Sequence, residues 1–199
     1  MGYSRAGFEV VGVDVKFQKN YPFEFHQADA MTYPLEGFDA IHASPPCQSY
    51  SLALRHLAAP QPMLVDATRD RIRVAEVWVI ENVPGAPLAT ASDLFGAHGV
   101  MLCGTSFGLR VYRHRLFESN VPLRRRECSH KRHAMNPHSS EGRDRMYAEF
   151  GRQPPEKVWR DEMGVSWMSR HETREAIPPV FTEYIGRQLL KSLSSVSQP

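Results

Sequence analysis

The sequence predicts an α/β fold whose β-sheet is mostly parallel. Short apolar runs alternate along the chain with helix-like or loop segments, and this alternation is typical of strands joined by helices. The 199 residues, 42% hydrophobic and 23% charged, are enough for one domain with a core. No run reaches the roughly 20 apolar residues of a membrane helix, and the first residues lack the pattern of a signal peptide. We therefore expect a cytoplasmic protein.

The strands are predicted where short apolar runs are rich in aromatic or β-branched residues, at 8–13, 23–26, 38–43, 77–80 and 100–103. A helix is predicted over 64–75, where apolar residues fall loosely on one face. Pro178 and Pro179 end one segment and begin a last helix, whose apolar spacing predicts an inner face packed on the core.

The amino-acid composition of the chain changes after the last predicted strand. Residues 1–120 are predicted to form a core, and 121–159 read as a short basic insertion rich in Arg, His, Ser, Gly and Pro. Residues 160–192 are predicted to return as helices to the core, and 193–199 to form a frayed tail. We expect the insertion to have no core of its own, because it has few aliphatic residues.

The number of cysteine residues and the local clustering of charge limit the possible functions. Cys47, Cys103 and Cys128 are too few and odd in number for a disulfide framework, which fits a reducing compartment where a thiol can do chemistry. The net charge of +2 decides little, but basic side chains cluster within the insertion. Such a cluster either neutralises phosphates or forms a solvated loop. Its members are Arg124, Arg125, Arg126, Lys131 and Arg132.

A cysteine follows the third predicted strand within the run Ser44-Pro45-Pro46-Cys47-Gln48. In an open α/β sheet, reactive groups gather at the carboxyl ends of the strands, so Cys47 occupies the place of a nucleophile. The two prolines stiffen the approach to the thiol. The alternative is that Cys47 is a small buried hydrophobic residue.

Two further polar groups are candidates for the same site. Glu81 ends the fourth predicted strand, and it would lie beside Cys47 if the two strands are neighbours. A carboxylate that leaves an apolar strand is desolvated, which tends to raise its pKa and suits it to donate a hydrogen bond. Arg113 and Arg115 are two residues apart on an extended segment, so both project to one face and can clamp a phosphate or a base edge.

In chain order, the sequences PPCQ (45–48), ENV (81–83) and RxR (113–115) resemble the signature of the DNA cytosine-5 methyltransferases, most closely their short bacteriophage-encoded members. The resemblance implies a doubly wound, Rossmann-like fold that binds S-adenosylmethionine and double-stranded DNA. It assigns cofactor contacts to Asp14, Asp29, Ala30 and Pro45. The sequence Ala-Ile-Pro-Pro at 176–179 is similar to the last motif of the family.

The resemblance also implies a reaction. Cys47, as thiolate, would attack carbon 6 of a flipped cytosine, while Glu81 bonds ring nitrogen 3 and the exocyclic amine. Arg115 would reach the base carbonyl, and Arg113 would hold the loop that carries Cys47. The residues expected to contact the base or DNA are Pro46, Gln48, Asn82, Val83 and the five basic residues of the insertion. We interpret His42 and His114 as packing or phosphate contacts.

The sequence departs from the family at its beginning, because the glycine-rich turn DLFxGxGG is missing. Its strand is central in a doubly wound sheet, so we expect a gap between the strands at 10–14 and 38–43. We therefore expect Met1 to be an internal methionine of a longer natural protein. The competing interpretation is a catalytically silent DNA-binding remnant. Val111 also replaces the glutamine of the arginine motif, and Arg174 and Glu175 replace a Gly-Asn pair.

Two other hypotheses concern the remaining cysteine and histidine residues. Cys128, His130, His133 and His138 have the donor types of a zinc site but lack a paired Cys-x-x-Cys, so we expect no metal and a basic loop that contacts phosphates. A cysteine hydrolase would need a histidine that activates Cys47, and no such motif stands out. We predict methyl transfer to cytosine carbon 5 in DNA, with relaxed specificity because the insertion is short. A phage origin would make protection from restriction the role.

Overall fold

The computed structural model describes residues 1–51, 62–91, 96–128, 130, 147–148 and 155–196. Its strands are β1 (Val11–Asp14), β2 (Glu24–Gln27), β3 (Ala40–Ala43), β4 (Val77–Asn82), β5 (His98–Cys103), β6 (Val111–Tyr112), β7 (His114–Ser119) and β8 (Tyr147–Ala148). Its α-helices are α1 (Gly2–Ala6), α2 (Val65–Ile72), α3 (Glu156–Met163), α4 (Arg170–Glu175) and α5 (Pro179–Val196), and a 3₁₀-helix covers Gly104–Phe107.

The main sheet has the strand order β3-β4-β7-β5. Strands β3 and β4 are parallel, whereas β7 runs antiparallel to both of its neighbours. Strands β3, β4 and β5 consequently share one direction, and the predicted α/β class is confirmed. The sheet is mixed rather than mostly parallel, because β7 makes both of its pairings antiparallel. Strand β7 was not predicted, because charged residues interrupt its apolar positions.

Strand β4 shows how both faces of the sheet are covered. All of its residues are buried, as expected for a strand between two neighbours with helices above and below. Trp78 and Ile80 pack in one cluster with Val65 of α2. Val77 and Val79 point to the other face and pack with apolar residues of α5. Helices therefore cover both faces of the main sheet.

Strands β1 and β2 form a separate parallel sheet, in which Val11 pairs with Glu24 and Asp14 with Gln27. Among the described residues, this pair is not hydrogen-bonded to the main sheet. The break between β1 and β3 falls where the missing glycine turn predicts a gap. Asn20, which follows β1, donates from its side-chain amide to both carboxylate oxygens of Glu172 in α4, at 3.2 and 2.9 Å.

Helices α1 and α5 lie close together on one face of the main sheet. A Cβ atom added at Gly186 would lie 2.9 Å from both the Ala6 Cβ and the Tyr3 Cδ1 atoms, so the crossing requires glycine there. The last helix is confirmed, but it continues to Val196. Residues 193–196 of the predicted frayed tail are thus helical, and 197–199 lie outside the described residues.

The described part of the insertion joins the rest of the protein through small contacts. Strand β8 pairs with β6, and Trp159 of α3 packs with Met163, Val165 and Val111 in a third apolar cluster.

None of the helices in the described ranges is long and apolar enough to cross a membrane.

Candidate active site

The loop after β3 and the end of β4 bring Cys47 and Glu81 to the same edge of the sheet, as their strands predict. The side-chain amide of Asn82 donates to the Pro45 carbonyl at 2.9 Å and ties this loop to β4. The backbone amides of Tyr50 and Ser51 both donate to the Cys47 carbonyl at 3.0 Å, which closes a turn behind the thiol. Cys47 is half-buried.

A buried ion pair joins the predicted carboxylate to the predicted arginine. Arg115 Nε lies 3.1 Å from Glu81 Oε1, and each residue is 5% exposed. Strand β7 lies beside β4, and this pairing places Arg115 next to the end of β4. Because two charges removed from water are costly unless they are paired, each side chain holds the other in place.

The charges of this pair act on the thiol in opposite directions. Burial raises the pKa of Cys47, the positive charge of Arg115 lowers it, and the negative charge of Glu81 raises it again. The net shift is upward, so the resting side chain is a neutral thiol. Neutralisation of Glu81 would remove one of the causes that oppose the thiolate.

Gln48 adds a polar group next to Cys47. Its side-chain Oε1 atom is buried and has no hydrogen-bond partner within the described part of the protein. A buried acceptor without a donor is costly, and such groups in native proteins often mark ligand contacts. Pro46 is exposed beside it, whereas Pro45 and Val83 are buried.

Arg113 makes contacts that the sequence did not predict. Its Nη2 atom donates to the carbonyls of Arg174 and Ala176, at 2.6 and 2.7 Å. These contacts hold the end of α4 and the residues before Ile177. Arg174 takes part through its backbone carbonyl, which any residue at that position would offer. The role predicted for Arg113 at the Cys47 loop stays a prediction.

Tyr3 and His42 form a polar chain close to this site. The Tyr3 hydroxyl and His42 Nδ1 are 2.8 Å apart, and His42 Nε2 lies 3.0 Å from the Ser44 hydroxyl. Burial lowers the pKa of His42 to about 4, and burial together with the Glu81 charge raises the pKa of Tyr3. A neutral, hydrogen-bonded His42 agrees with its predicted packing role. Tyr3 could not be identified from the sequence, because only the fold brings α1 over β3.

The predicted cofactor residues follow β1 and β2. Asp14 accepts hydrogen bonds from the Lys16 amide at 2.8 Å and from Gln18 Nε2 at 3.1 Å. Asp29 is exposed and accepts from the Met31 amide at 2.8 Å, and Ala30 is also exposed. Carboxylates at these strand ends suit the ribose hydroxyls and adenine amine of a nucleoside. A glycine-rich turn for the methionine part is missing from the sequence.

The described basic residues of the insertion lie along α5. Arg124, Arg125 and Arg126 are exposed. Arg126 stacks over the Phe107 ring at 4.6 Å, and the Tyr184 hydroxyl donates to the Arg124 carbonyl at 3.1 Å. These contacts fix the path of the segment, while the exposed guanidinium groups can still meet phosphates. Lys131 and Arg132 lie outside the described residues.

A cluster of two cysteine and two histidine residues differs in membership from the candidate zinc ligands that were considered from the sequence. Cys128 and His130 meet Cys103 and His114, whereas His133 and His138 lie outside the described residues. Burial alone would raise the pKa of Cys103, but hydrogen bonds with His114, Thr105 and His130 lower it to about 6. The spacing of Cys103 and His114 gave no signal, because they meet only across the unpredicted pairing of β5 and β7.

Comparisons with known proteins establish the fold. No protein-family profile and no curated protein matches the sequence. Among solved structures, a protein described as a DNA modification methyltransferase encoded within an E. coli prophage has a TM-score of 0.63 and 14% identity, over 98% of this chain and 95% of its own. A triple mutant of Spodoptera frugiperda DNMT2 has a TM-score of 0.41 and 17% identity, over 76% of this chain and 51% of its own. This TM-score is too low to support a conclusion. The chain shares the fold of the prophage-encoded protein.

Proposed function

We propose that this protein is a DNA methyltransferase that transfers a methyl group from S-adenosylmethionine to carbon 5 of cytosine. The observation that carries the proposal is the meeting of Cys47, Glu81 and Arg115 at one edge of the sheet. The fold shared with the prophage-encoded DNA modification methyltransferase supports methyl transfer as the reaction class.

Cys47 begins the reaction as a nucleophile. Its thiolate forms a bond between Sγ and carbon 6 of the cytosine, and the electrons of the 5,6 double bond make carbon 5 nucleophilic. Glu81 bonds ring nitrogen 3 and the exocyclic amine, where negative charge would otherwise develop. After carbon 5 accepts the methyl group, a water molecule takes the proton of carbon 5. The electrons of the broken C–H bond restore the 5,6 double bond, and the bond between carbon 6 and Sγ breaks so that Cys47 leaves as thiolate.

Glu81 and Cys47 are coupled through their charges. The Glu81 charge opposes thiolate formation, so a proton shared between Glu81 and ring nitrogen 3 favours the thiolate at the time when the base is in place. Arg115 stabilises both anions and can also reach the base carbonyl. The Gln48 Oε1 atom, which has no partner among the described residues, is a candidate acceptor for a base or a neighbouring nucleotide.

S-adenosylmethionine would supply an electrophilic methyl group. Asp14 and Asp29 are the residues that would hold its ribose and adenine, and the family resemblance adds Ala30 and Pro45 to the cofactor contacts. The nucleoside end therefore finds suitable acceptors. Binding of the cofactor to this chain is part of the proposal.

Covalent trapping tests the proposal directly. The protein is incubated with S-adenosylmethionine and DNA that contains 5-fluorocytosine, because fluorine at carbon 5 blocks the final elimination. We expect an adduct on a denaturing gel that disappears in Cys47→Ser. An adduct that survives Cys47→Ser would contradict the assignment of the nucleophile.

A catalytically silent DNA-binding protein is the second candidate. The break between β1 and β3 favours it. Calorimetry with S-adenosylmethionine separates the two candidates, since the silent protein would bind DNA without binding the cofactor. Failure of both trapping and cofactor binding, with DNA binding retained, would leave this second function.

A further inference from the structure

We propose that Cys103, His114, Cys128 and His130 bind one zinc ion that fixes the insertion to the main sheet. Each residue offers one ligand atom, and the four atoms all lie within 4.8 Å of one another. Cys103 Sγ is 3.3 Å from His130 Nε2, and Cys128 Sγ is 3.7 Å from His114 Nε2. The site is separate from the Cys47 site and does not depend on the proposed function.

These separations match those between ligands of tetrahedral zinc. With Zn–S bonds of about 2.3 Å and Zn–N bonds of about 2.0–2.1 Å, tetrahedral angles place sulfur and nitrogen ligands about 3.5 Å apart. The two measured separations bracket this value. An ion can therefore be accommodated with small side-chain movements.

The fold supplies the ligands in two pairs. Cys103 ends β5 and His114 begins β7, and the two are direct partners across this antiparallel pair. The sheet therefore fixes two ligands before the metal binds. Cys128 and His130 come from the segment that follows β7, so the metal would join that segment to the sheet.

The donor set indicates both the metal and its role. Two thiolates with two imidazoles favour zinc over calcium or magnesium, which prefer oxygen ligands. Four protein ligands fill a tetrahedral zinc, so the site would be structural. The Thr105 hydroxyl lies 3.2 Å from Cys103 Sγ, and the Tyr112 ring contacts the His130 ring edge-on, with 4.9 Å between centroids. Such neighbours orient metal ligands.

The position of His114 connects the site to the arginine pair. Side chains alternate along a strand, so His114 points to the face opposite to that of Arg113 and Arg115. A zinc ion at His114 would therefore hold the start of β7, the strand from which Arg115 reaches Glu81. The consequence is a fixed position for both arginines relative to β4.

Metal analysis of the full chain tests the proposal. The protein is purified without chelators under reducing conditions, and zinc is measured by mass spectrometry. We expect about one zinc per chain in the wild type and in Cys47→Ser, and less in Cys128→Ser and His130→Ala. Cys128 and His130 are exposed, so these variants are expected to fold. Loss of a ligand is expected to weaken zinc binding at least about 100-fold, since changes around ligands alone cost about 10–100-fold.

Cobalt substitution gives a second readout. The reduced, metal-free protein is titrated with cobalt, and thiolate ligands in a tetrahedral site give characteristic visible absorption. We expect this spectrum in the wild type and in Cys47→Ser, and its loss or shift in Cys128→Ser. Absence of both zinc and the cobalt spectrum in the wild type would overturn the proposal, as would a disulfide between Cys103 and Cys128 in freshly purified protein. An unchanged spectrum in Cys128→Ser would overturn the ligand assignment.

Discussion

Replacement of Arg69 by methionine removes the cation that faces a buried carboxylate. Glu118 is 2% exposed, and Arg69 Nε and Nη2 reach its two carboxylate oxygens at 2.6 and 3.1 Å. The Ala89 amide donates to the same carboxylate at 2.6 Å, and Arg69 also donates to the Pro87 carbonyl at 2.8 Å. The pair therefore joins α2 and β7 to the chain that follows β4.

The expected loss follows from this burial. Removal of one partner of a buried ion pair costs about 3–5 kcal/mol, because the other charge remains out of water. At about 2–4 °C per kcal/mol for a chain of this size, the melting temperature of Arg69→Met is expected to fall by about 6–20 °C. Calorimetry and urea unfolding measure the two quantities.

Arg73→Met is the matched control on the same chain segment. The Arg73 and Asp70 side chains are 69% and 73% exposed, and their charged atoms are 3.3 Å apart. An exposed pair contributes about 0–1 kcal/mol, so this variant is expected to melt close to the wild type. If Arg69→Met is no less stable than Arg73→Met, the reasoning about the buried carboxylate is wrong.

Three further predictions concern the site and the helices. Glu81→Gln is expected to lower the pKa of Cys47, so the rate of thiol alkylation should rise at lower pH than in the wild type; an unchanged or upward shift would contradict the charge coupling. Gly186→Val is expected to destabilise the protein by about 1–3 kcal/mol in urea unfolding, because α1 leaves no room for a side chain. Ser169→Ala removes the capping box of α4 and is expected to cost about 1 kcal/mol by the same measurement, and no change would argue against the cap.

The predicted part of the site depends on a simple property of parallel strands. The apolar runs of β3 and β4 are visible in the sequence, and strands that run in one direction bring their carboxyl ends to one edge. The proximity of Cys47 and Glu81 could therefore be predicted from the order of the motifs. The contacts of Arg113 with the end of α4 could not, because they join residues far apart in the chain.

Strand β7 explains most of what the sequence left hidden. Its central place in the sheet buries Arg115 and Glu118. Because both side chains are charged, a search for apolar runs assigns these positions to the surface. Ion pairs with Glu81 and Arg69 offset the cost of removing these charges from water. Such pairs cannot be predicted without the fold. The same strand brings His114 to Cys103, so the four-residue cluster was invisible for the same reason.

The separate sheet of β1 and β2 has a consequence for local stability. Its residues are half-buried or exposed, whereas every residue of β4 is buried. Units with less buried surface open more readily, so amide hydrogens of β1 and β2 are expected to exchange with solvent before those of the main sheet. Asp14 belongs to this early-opening unit, and Asp29 lies shortly after it. A nucleoside that binds at Asp14 would have to order β1 and β2. Part of the interaction free energy would offset this ordering, so the affinity would be lower and the amide hydrogens of both strands would exchange more slowly in the complex.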